Sequence, residues 1–233
     1  MIRIILSGSN GKMGKAVLKS IKENDAFKIA YGIQRKAPIS MSFPVYTDIY
    51  QGKEIGDIII DYSNPNNIAS LLDFAIGKNI PIIIATTGFS ENEISEIHKA
   101  SKKIPILFSS NMSLGITALA KALALIAPLL GDDYEIEIIE KHHSKKLDSP
   151  SGTAIMLRDT IKNSLSSNNE IKIHSLRSGT NPGEHSVIFS GKDEIIELKH
   201  QSYSRELFAQ GTLKAAKWIL GKPAGLYSMN DIN

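Results

Sequence analysis

The chain of 233 residues has no cysteine, one tryptophan and an aromatic content of 6%. Without cysteine it can build no disulfide scaffold, thiolate zinc site, iron–sulfur cluster or Cys nucleophile, a composition compatible with a reducing cytoplasm. Neither sign of charge dominates: 27 Lys plus Arg against 24 Asp plus Glu leave a net charge of +3. That is too balanced for the concentrated basic face that nucleic-acid binding requires. The apolar run within residues 1–8 is far too short for a signal segment. The most apolar later stretch, 114–130, carries Lys121 and Pro128 and is expected to fall short of a membrane span. His-x-x-x-His and His-Glu-x-x-His spacings are missing, so no metal site is expected. Internal repeats and low-complexity tracts are also lacking. What remains is 42% hydrophobic and 22% charged, the profile of one large or two small globular domains. The expectation is a soluble cytoplasmic protein with neither a nucleic-acid nor a membrane partner.

The first half alternates short Ile-rich runs with longer amphipathic segments. Strands are expected at 3–7, 28–33, 58–62, 80–86 and 104–109, with helices at about 12–22 and 68–78 between them. A helix over 91–103 is announced by a capping box, Ser90 with Glu93. Apolar runs without alternation indicate strands buried on both faces, hence a doubly wound parallel α/β sheet. Near Asn111 the pattern changes. A long apolar helix (114–129) precedes 134–142, where Glu135 and Glu137 alternate with Ile136 and Ile138, the period of a sheet with one polar face. A helix over 153–165, a loop over 163–170, strands at 171–176, 186–190 and 194–200, and an amphipathic helix at 205–220 follow. The last is expected to return to the first domain, giving a dinucleotide-binding domain of 1–113 plus 205–233 and a second, α+β domain of 114–204.

Two segments carry chemistry. Gly8-Ser9-Asn10-Gly11-Lys12-Met13-Gly14 follows a strand and opens a helix; glycines there let backbone amides approach a pyrophosphate. The bland alternative is a tight turn in an α/β core. The second strand ends in Gln34, Arg35 and Lys36, where an acid for the ribose of NAD is usual. Gln34 can still bond a ribose hydroxyl and the two bases can meet a 2′-phosphate, which favours NADPH or dual use. The second segment runs from Glu140 to Ala154. In it Ser151, Gly152 and Thr153 stand before a helix and offer hydroxyls and amides to a carboxylate, while Lys146 and a histidine add charge and donate protons. Each residue alone has an ordinary reading as a cap or a solvated side chain. Gathered within fifteen positions, they indicate an anion pocket with acid catalysis.

Further motifs extend over the whole chain: Asp61-Tyr62-Ser63, Ala85-Thr86-Thr87-Gly88-Phe89, Ser110-Asn111-Met112-Ser113-Leu114-Gly115, Arg177-x-Gly179, Gly183-Glu184-His185-x-Val187, Ser204-Arg205, Phe208-Ala209-x-Gly211 and Gly225-Leu226-Tyr227-x-Met229. Together with the Glu140–Ala154 run they make the chain resemble the 4-hydroxy-tetrahydrodipicolinate (dihydrodipicolinate) reductase family of lysine and diaminopimelate synthesis. The resemblance implies a Rossmann-type first domain, with a second domain that binds substrate and assembles a homotetramer. It also implies hydride transfer from NADH or NADPH to a small cyclic dicarboxylate, with loss of water. By the same resemblance His142 is the proton donor or acceptor and Lys146 a second donor. His143 contacts substrate, and Gly152 and Thr153 bind a carboxylate, beside Ser151. Gly8, Ser9, Asn10, Gly11, Lys12 and Met13 would hold the cofactor pyrophosphate. Ala85, Thr86 and Thr87, with Ser110, Asn111, Met112 and Ser113, would border its nicotinamide.

The sequence departs from the family in Ala85, where glycine is frequent, in Gln34, and in a short segment between Arg35 and Asp57. Aspartate-semialdehyde dehydrogenase chemistry needs a cysteine that this chain lacks. A non-catalytic dinucleotide-binding redox sensor is the alternative, but it would not require His142, His143 and Lys146 beside a Ser-Gly-Thr turn.

Overall fold

The computed structural model describes residues 1–36, 41–165 and 170–232. The chain divides into two compact units, Met1–Met112 with Phe208–Asn233, and Ser113–Leu207.

In the first unit β1 (Ile2–Ser7), β2 (Phe27–Ile33), β3 (Val45–Tyr46), β4 (Ile58–Asp61), β5 (Ile82–Ile84) and β6 (Pro105–Phe108) alternate with α1 (Lys12–Lys22), α2 (Ile68–Lys78) and α3 (Glu91–Ser101). The second unit contains α4 (Leu114–Leu130), β7 (Glu135–His142), α5 (Gly152–Ser164), β8 (Lys172–Arg177), β9 (Gly183–Ser190) and β10 (Ile195–Ser202). The chain then runs into α6 (Glu206–Ile219) and β11 (Gly225–Tyr227), which complete the first unit.

The first sheet has the order β11-β6-β5-β4-β1-β2-β3, and every pairing in it is parallel. This is the doubly wound architecture expected from the sequence, and its order reverses between β1 and β4, where such sheets open a ligand crevice. Its central strands are buried throughout: Ile58, Ile59, Ile60, Ile82, Ile83 and Ile84 are all 0% exposed. The Ser90–Glu93 capping box is formed at the start of α3. Sequence periodicity missed β3 and β11, which are two and three residues long.

The second sheet has the order β10-β9-β7-β8, with β7 parallel to β8 and antiparallel to β9. One face packs on α4 and α5 through Ile116, Leu119, Leu123, Ile138, Leu157, Ile161, Val187 and Phe189. The other face carries Glu137, Lys141, His174, Glu184 and Lys199, linked in part by Lys141–Glu184 and Lys199–Glu184 ion pairs. The apolar helix expected over 114–129 is α4, which runs through Pro128 to Leu130, because a proline so near the C-terminus removes only one late hydrogen bond. With the turn that follows, Leu114–Asp133 is a 20-residue stretch long and apolar enough, by length and composition, to cross a membrane. Here its Ile116, Leu119, Ala120, Leu123 and Ala127 belong to the core of the second unit. Of the loop expected over 163–170, Asn163 and Ser164 close α5, and residues 166–169 lie outside the described residues.

Candidate active site

Each unit carries one cluster of functional groups. In the first, the chain leaves β1 at Ser7 and turns through Gly8, whose φ of +81° is open to glycine at little cost. A Cβ on Gly8 would stand 2.3 Å from the carbonyl oxygen of Tyr62, and one on Gly14 would stand 2.3 Å from that of Gly8. The amides of Gly8 and Gly11 bond Ile33 O and Gly8 O at 2.9 Å each, which folds the turn tightly over β2. Gly11 caps α1 in an extended conformation, and no side chain serves as its N-cap. The positive end of the helix dipole therefore meets this turn with only backbone in the way.

Beside the turn lies a cleft of about 860 Å³, lined by Gly8, Asn10, Gly11, Gln34 and Arg35 among others, with Tyr62, Ser63, Asn64 and Asn67 contributing to its lining as well. Its size and its glycine floor fit a dinucleotide. Ser9 is buried beneath the turn, and Lys12 and Met13 form the first turn of α1. Asp48 also lines the cleft, but its carboxylate is engaged in capping, accepting from Tyr50 N at 3.0 Å.

At the ends of β4 and β5, Asp61 is fully buried and accepts from Ser63 Oγ at 2.5 Å and Thr86 Oγ1 at 2.6 Å. Burial pushes its carboxyl above the ordinary value, against these hydrogen bonds. The Thr86 side chain is thus committed to fixing the loop, since it also accepts from Ser63 N at 2.9 Å. Ala85 is half-buried and Thr87 exposed beside it. Ser110 is exposed and Asn111 half-buried, whereas Met112 and Ser113 are 2% and 1% exposed. Any ligand contact from Met112 or Ser113 has to come from backbone. Ser113 is the N-cap of α4, accepting from Ile116 N at 3.2 Å, and its hydroxyl lies 3.3 Å from His200 Nε2.

The second cluster is built on the sheet itself. Ile136, Ile138, Glu140 and His142 of β7 share the inner face, because side chains alternate along a strand. Register places Ser175, Glu140, His185 and His200 in one row across four strands, and beyond it pairs His142 with Arg177 and Gly183 with Ser202, a Cβ on Gly183 lying 3.1 Å from His142 Nε2. The inner face therefore changes from apolar to polar as it approaches the start of α5. Glu140 is fully buried and accepts from Arg177 Nη2 at 2.6 Å, Arg177 Nη1 at 2.8 Å, Ser175 Oγ at 2.7 Å and Ser151 N at 3.2 Å. Its remaining partner is His142 Nδ1. Burial pushes this carboxyl up, yet Arg177, Ser175 and His142 prevail and hold it down at about 2. His142 is pushed below the ordinary imidazole value by burial, with Glu140 acting in the opposite direction.

Ser151 caps α5 by accepting from Ala154 N at 3.2 Å, so its hydroxyl proton points to His185 Nε2, 3.1 Å away. His185 is 3% exposed, and burial pushes it down to about 3, so it stays neutral and serves as the acceptor. Gly152 is exposed, and a Cβ on it would meet nothing within 4 Å, which leaves open space at the first turn of a 13-residue helix. Thr153 is half-buried behind it.

β7 ends at His142, so His143 belongs to the turn that follows and the alternation of faces stops there. Its amide bonds Asn181 O at 2.8 Å, and Lys146 N closes the turn on His143 O at 3.1 Å. The Lys146 ammonium is paired with Asp148 at 2.7 Å. The Nδ1 atoms of His143, His185 and His200 are buried and have no hydrogen-bond partner among the described residues. Among the described residues no group of three or more His, Asp or Glu side chains is arranged to hold a metal ion.

The sequence alone brings His142, His143, Lys146, Ser151, Gly152 and Thr153 together; of their partners Glu140, Ser175, Arg177, His185 and His200, the last four emerge only from strand register. The signal for Glu140 was present: it continues the period of two set by Ile136 and Ile138, which puts a carboxylate on the buried face.

Comparison with known proteins covers both units. A family model described as dihydrodipicolinate reductase, N-terminus, matches residues 2–112, and one described as dihydrodipicolinate reductase, C-terminus, matches 115–232. A protein of Caldanaerobacter subterraneus subsp. tengcongensis named 4-hydroxy-tetrahydrodipicolinate reductase is 44% identical, across 100% of this chain and 98% of its own. One of Rickettsia rickettsii with the same name is 39% identical, across 100% and 99%. A dipicolinate-bound dihydrodipicolinate reductase from Paenisporosarcina sp. TG-14 has the same fold, with a TM-score of 0.82, 24% identity and complete coverage of both chains.

Proposed function

The chain belongs to the dihydrodipicolinate reductase family, and from that premise we propose that it reduces 4-hydroxy-tetrahydrodipicolinate to tetrahydrodipicolinate with loss of water, in the diaminopimelate route to lysine. The observation that carries this reading is the polar end of the second sheet. There a buried imidazole, a lysine and the open N-terminus of α5 follow one another between His142 and Gly152.

The substrate is a dianion, and the pocket offers it positive charge and donors. The amides of Gly152 and Thr153 at the positive end of α5 take one carboxylate, Ser151 holds that turn in place, and His143 reaches the substrate from the preceding turn. His142 gives its proton where negative charge develops on the substrate, and Lys146, released from Asp148, is the second donor. In the first unit the turn of Gly8, Ser9, Asn10, Gly11, Lys12 and Met13 holds a pyrophosphate. The amides of Gly8, Ser9 and Gly11 fold the turn onto Ile33 O and Gly8 O, and the first turn of α1, at Lys12 and Met13, presents its own amides to the anion. Gln34 bonds the adenosine ribose and Arg35 is available to a 2′-phosphate, so both NADPH and NADH are accepted. Ala85, Thr86 and Thr87, with Ser110, Asn111, Met112 and Ser113, border the nicotinamide. When bound, the dinucleotide supplies the hydride. The enzyme works in the cytoplasm as a homotetramer that associates through the outer face of the four-stranded sheet.

A coupled assay tests this, using cyclic substrate made freshly from pyruvate and aspartate semialdehyde and following NADH and NADPH separately. Substrate-dependent oxidation is expected with both, and Arg35→Ala should weaken NADPH use while leaving NADH use nearly unchanged. Oxidation of neither, with dinucleotide binding intact, would replace the enzyme with a redox sensor.

A further inference from the structure

We propose that Glu140 is a positioning residue: its buried carboxylate holds His142 with the proton on Nδ1 and, with the same two oxygens, anchors the start of α5. One group thereby sets both the proton donor and the anion-binding turn. This rests on the reading of His142 as the proton donor.

The two oxygens divide the work. Oε1 accepts from Ser175 Oγ, Ser151 N and Arg177 Nη2, while Oε2 accepts from Arg177 Nη1 and faces His142 Nδ1. An ionised carboxylate is acceptor-only, so the imidazole nitrogen it faces must carry the hydrogen. With Arg177 on the same carboxylate, the ionised form is the one present near neutral pH. Nε2 is then the atom of His142 left to exchange a proton with a ligand. It is kept accessible by Gly183 across the sheet, where a Cβ would lie 3.1 Å from it.

The other charged or titratable groups about His142 are Arg177 from β8, His185 from β9 and Lys146 from the following turn. Arg177 and Lys146 oppose protonation of the imidazole, and His185 is held neutral. Against these, Glu140 favours the imidazolium. Arg177, engaged at both Nη atoms, acts on His142 through Glu140.

A purely structural ion pair would require only that the cavity stay filled and bonded, so protonation and tautomer of His142 distinguish the two roles. The first measurement is the ¹⁵N spectrum of the imidazoles in the whole wild-type protein, with the His142 signals identified by their loss in His142→Asn. The Nδ1–H form is expected, and a proton on Nε2 would overturn the proposal without recourse to any Glu140 variant. In Glu140→Gln the single tautomer should be lost and the pH limb of kcat/KM that reports the imidazolium should move down by about one pH unit or more. Its kcat should fall at least about tenfold, the loss expected when general acid catalysis is impaired, with a smaller change in KM, and Glu140→Asp should restore part of it. A folded Glu140→Gln protein with an unchanged limb and tautomer would refute the assignment. If wild-type protein proves inactive on the cyclic substrate, the functional reading fails on that result, and the tautomer still decides the role of Glu140.

Discussion

In the first unit the candidate site groups lie beyond the ends of the seven-stranded sheet, whereas in the second the buried polar cluster, Glu140, His142 and His185, stands on the strands themselves. The first arrangement leaves β4 and β5 free to be runs of isoleucine, and asks of the site only a tight glycine turn at the start of a helix. The second places Glu140, His142, His185 and Ser175 where apolar side chains would otherwise continue the core. Every such group needs a partner, since burying it without one costs several kcal/mol. A site made of loop backbone is therefore sensitive to shape, and a site made of strand side chains is sensitive to charge and pH.

Arg177→Met tests the second half of that contrast most severely. It keeps the bulk but leaves the Glu140 carboxylate buried without its cation, which should cost about 3–5 kcal/mol in urea unfolding at neutral pH. Glu140 is held at about 2, below its ordinary 4.5, so its stabilisation is complete above 4.5 and is lost as pH falls toward 2. The variant should show a flattened acid-side dependence as well. A loss below about 1 kcal/mol would mean that water already screens the pair as it does on a surface.

Shape sensitivity is tested by Gly14→Ala, whose new Cβ would meet Gly8 O at 2.3 Å and Ser9 O at 2.6 Å. The expected cost is about 1–3 kcal/mol, and calorimetric titration should show dinucleotide affinity lowered at least about tenfold, equivalent to about 1.4 kcal/mol. An unchanged affinity would show that the turn tolerates movement and that its glycines serve packing alone.

The smallest effect concerns His185, held neutral by burial with its value pushed from 6.5 to about 3. As pH falls below 6.5 the unfolded chain takes up a proton that the folded one refuses, so stability declines down to about 3. Between pH 7 and pH 5 this amounts to about 1–2 kcal/mol, and His185→Asn should remove that part of the slope. An identical slope in the variant would assign the titration to another group.

The same contrast explains what could be read from the sequence. Ile58 to Ile60 and Ile82 to Ile84 announce buried parallel strands by composition alone, and the glycines after β1 announce the turn. The capping turn at Ser151 is also legible, because capping residues act within a few positions of one another. His185, His200, Ser175 and Arg177 reach Glu140 and His142 only through strand register, and nothing local in the chain specifies that β9 lies between β7 and β10. The strand expected over 80–86 shortens to Ile82–Ile84, because Thr86 leaves the ladder and turns its hydroxyl onto Asp61.

The first unit is interrupted in sequence by the whole of the second, and its edge strand β11 pairs with β6 across that interruption, Leu226 opposite Ile106. During synthesis on the ribosome the chain is made from its N-terminus. The β6 edge is thus exposed to the cell while the second unit is being translated, and Tyr62 waits equally long for Thr212, its partner at 2.5 Å. The nascent dinucleotide-binding half is an unfinished sheet with an open edge, a form in which chains are prone to pair with one another. The inserted unit, contiguous from Ser113 to Leu207, awaits no later segment of the chain. Order of synthesis, and not only strength of contact, then decides which half of this enzyme matures first.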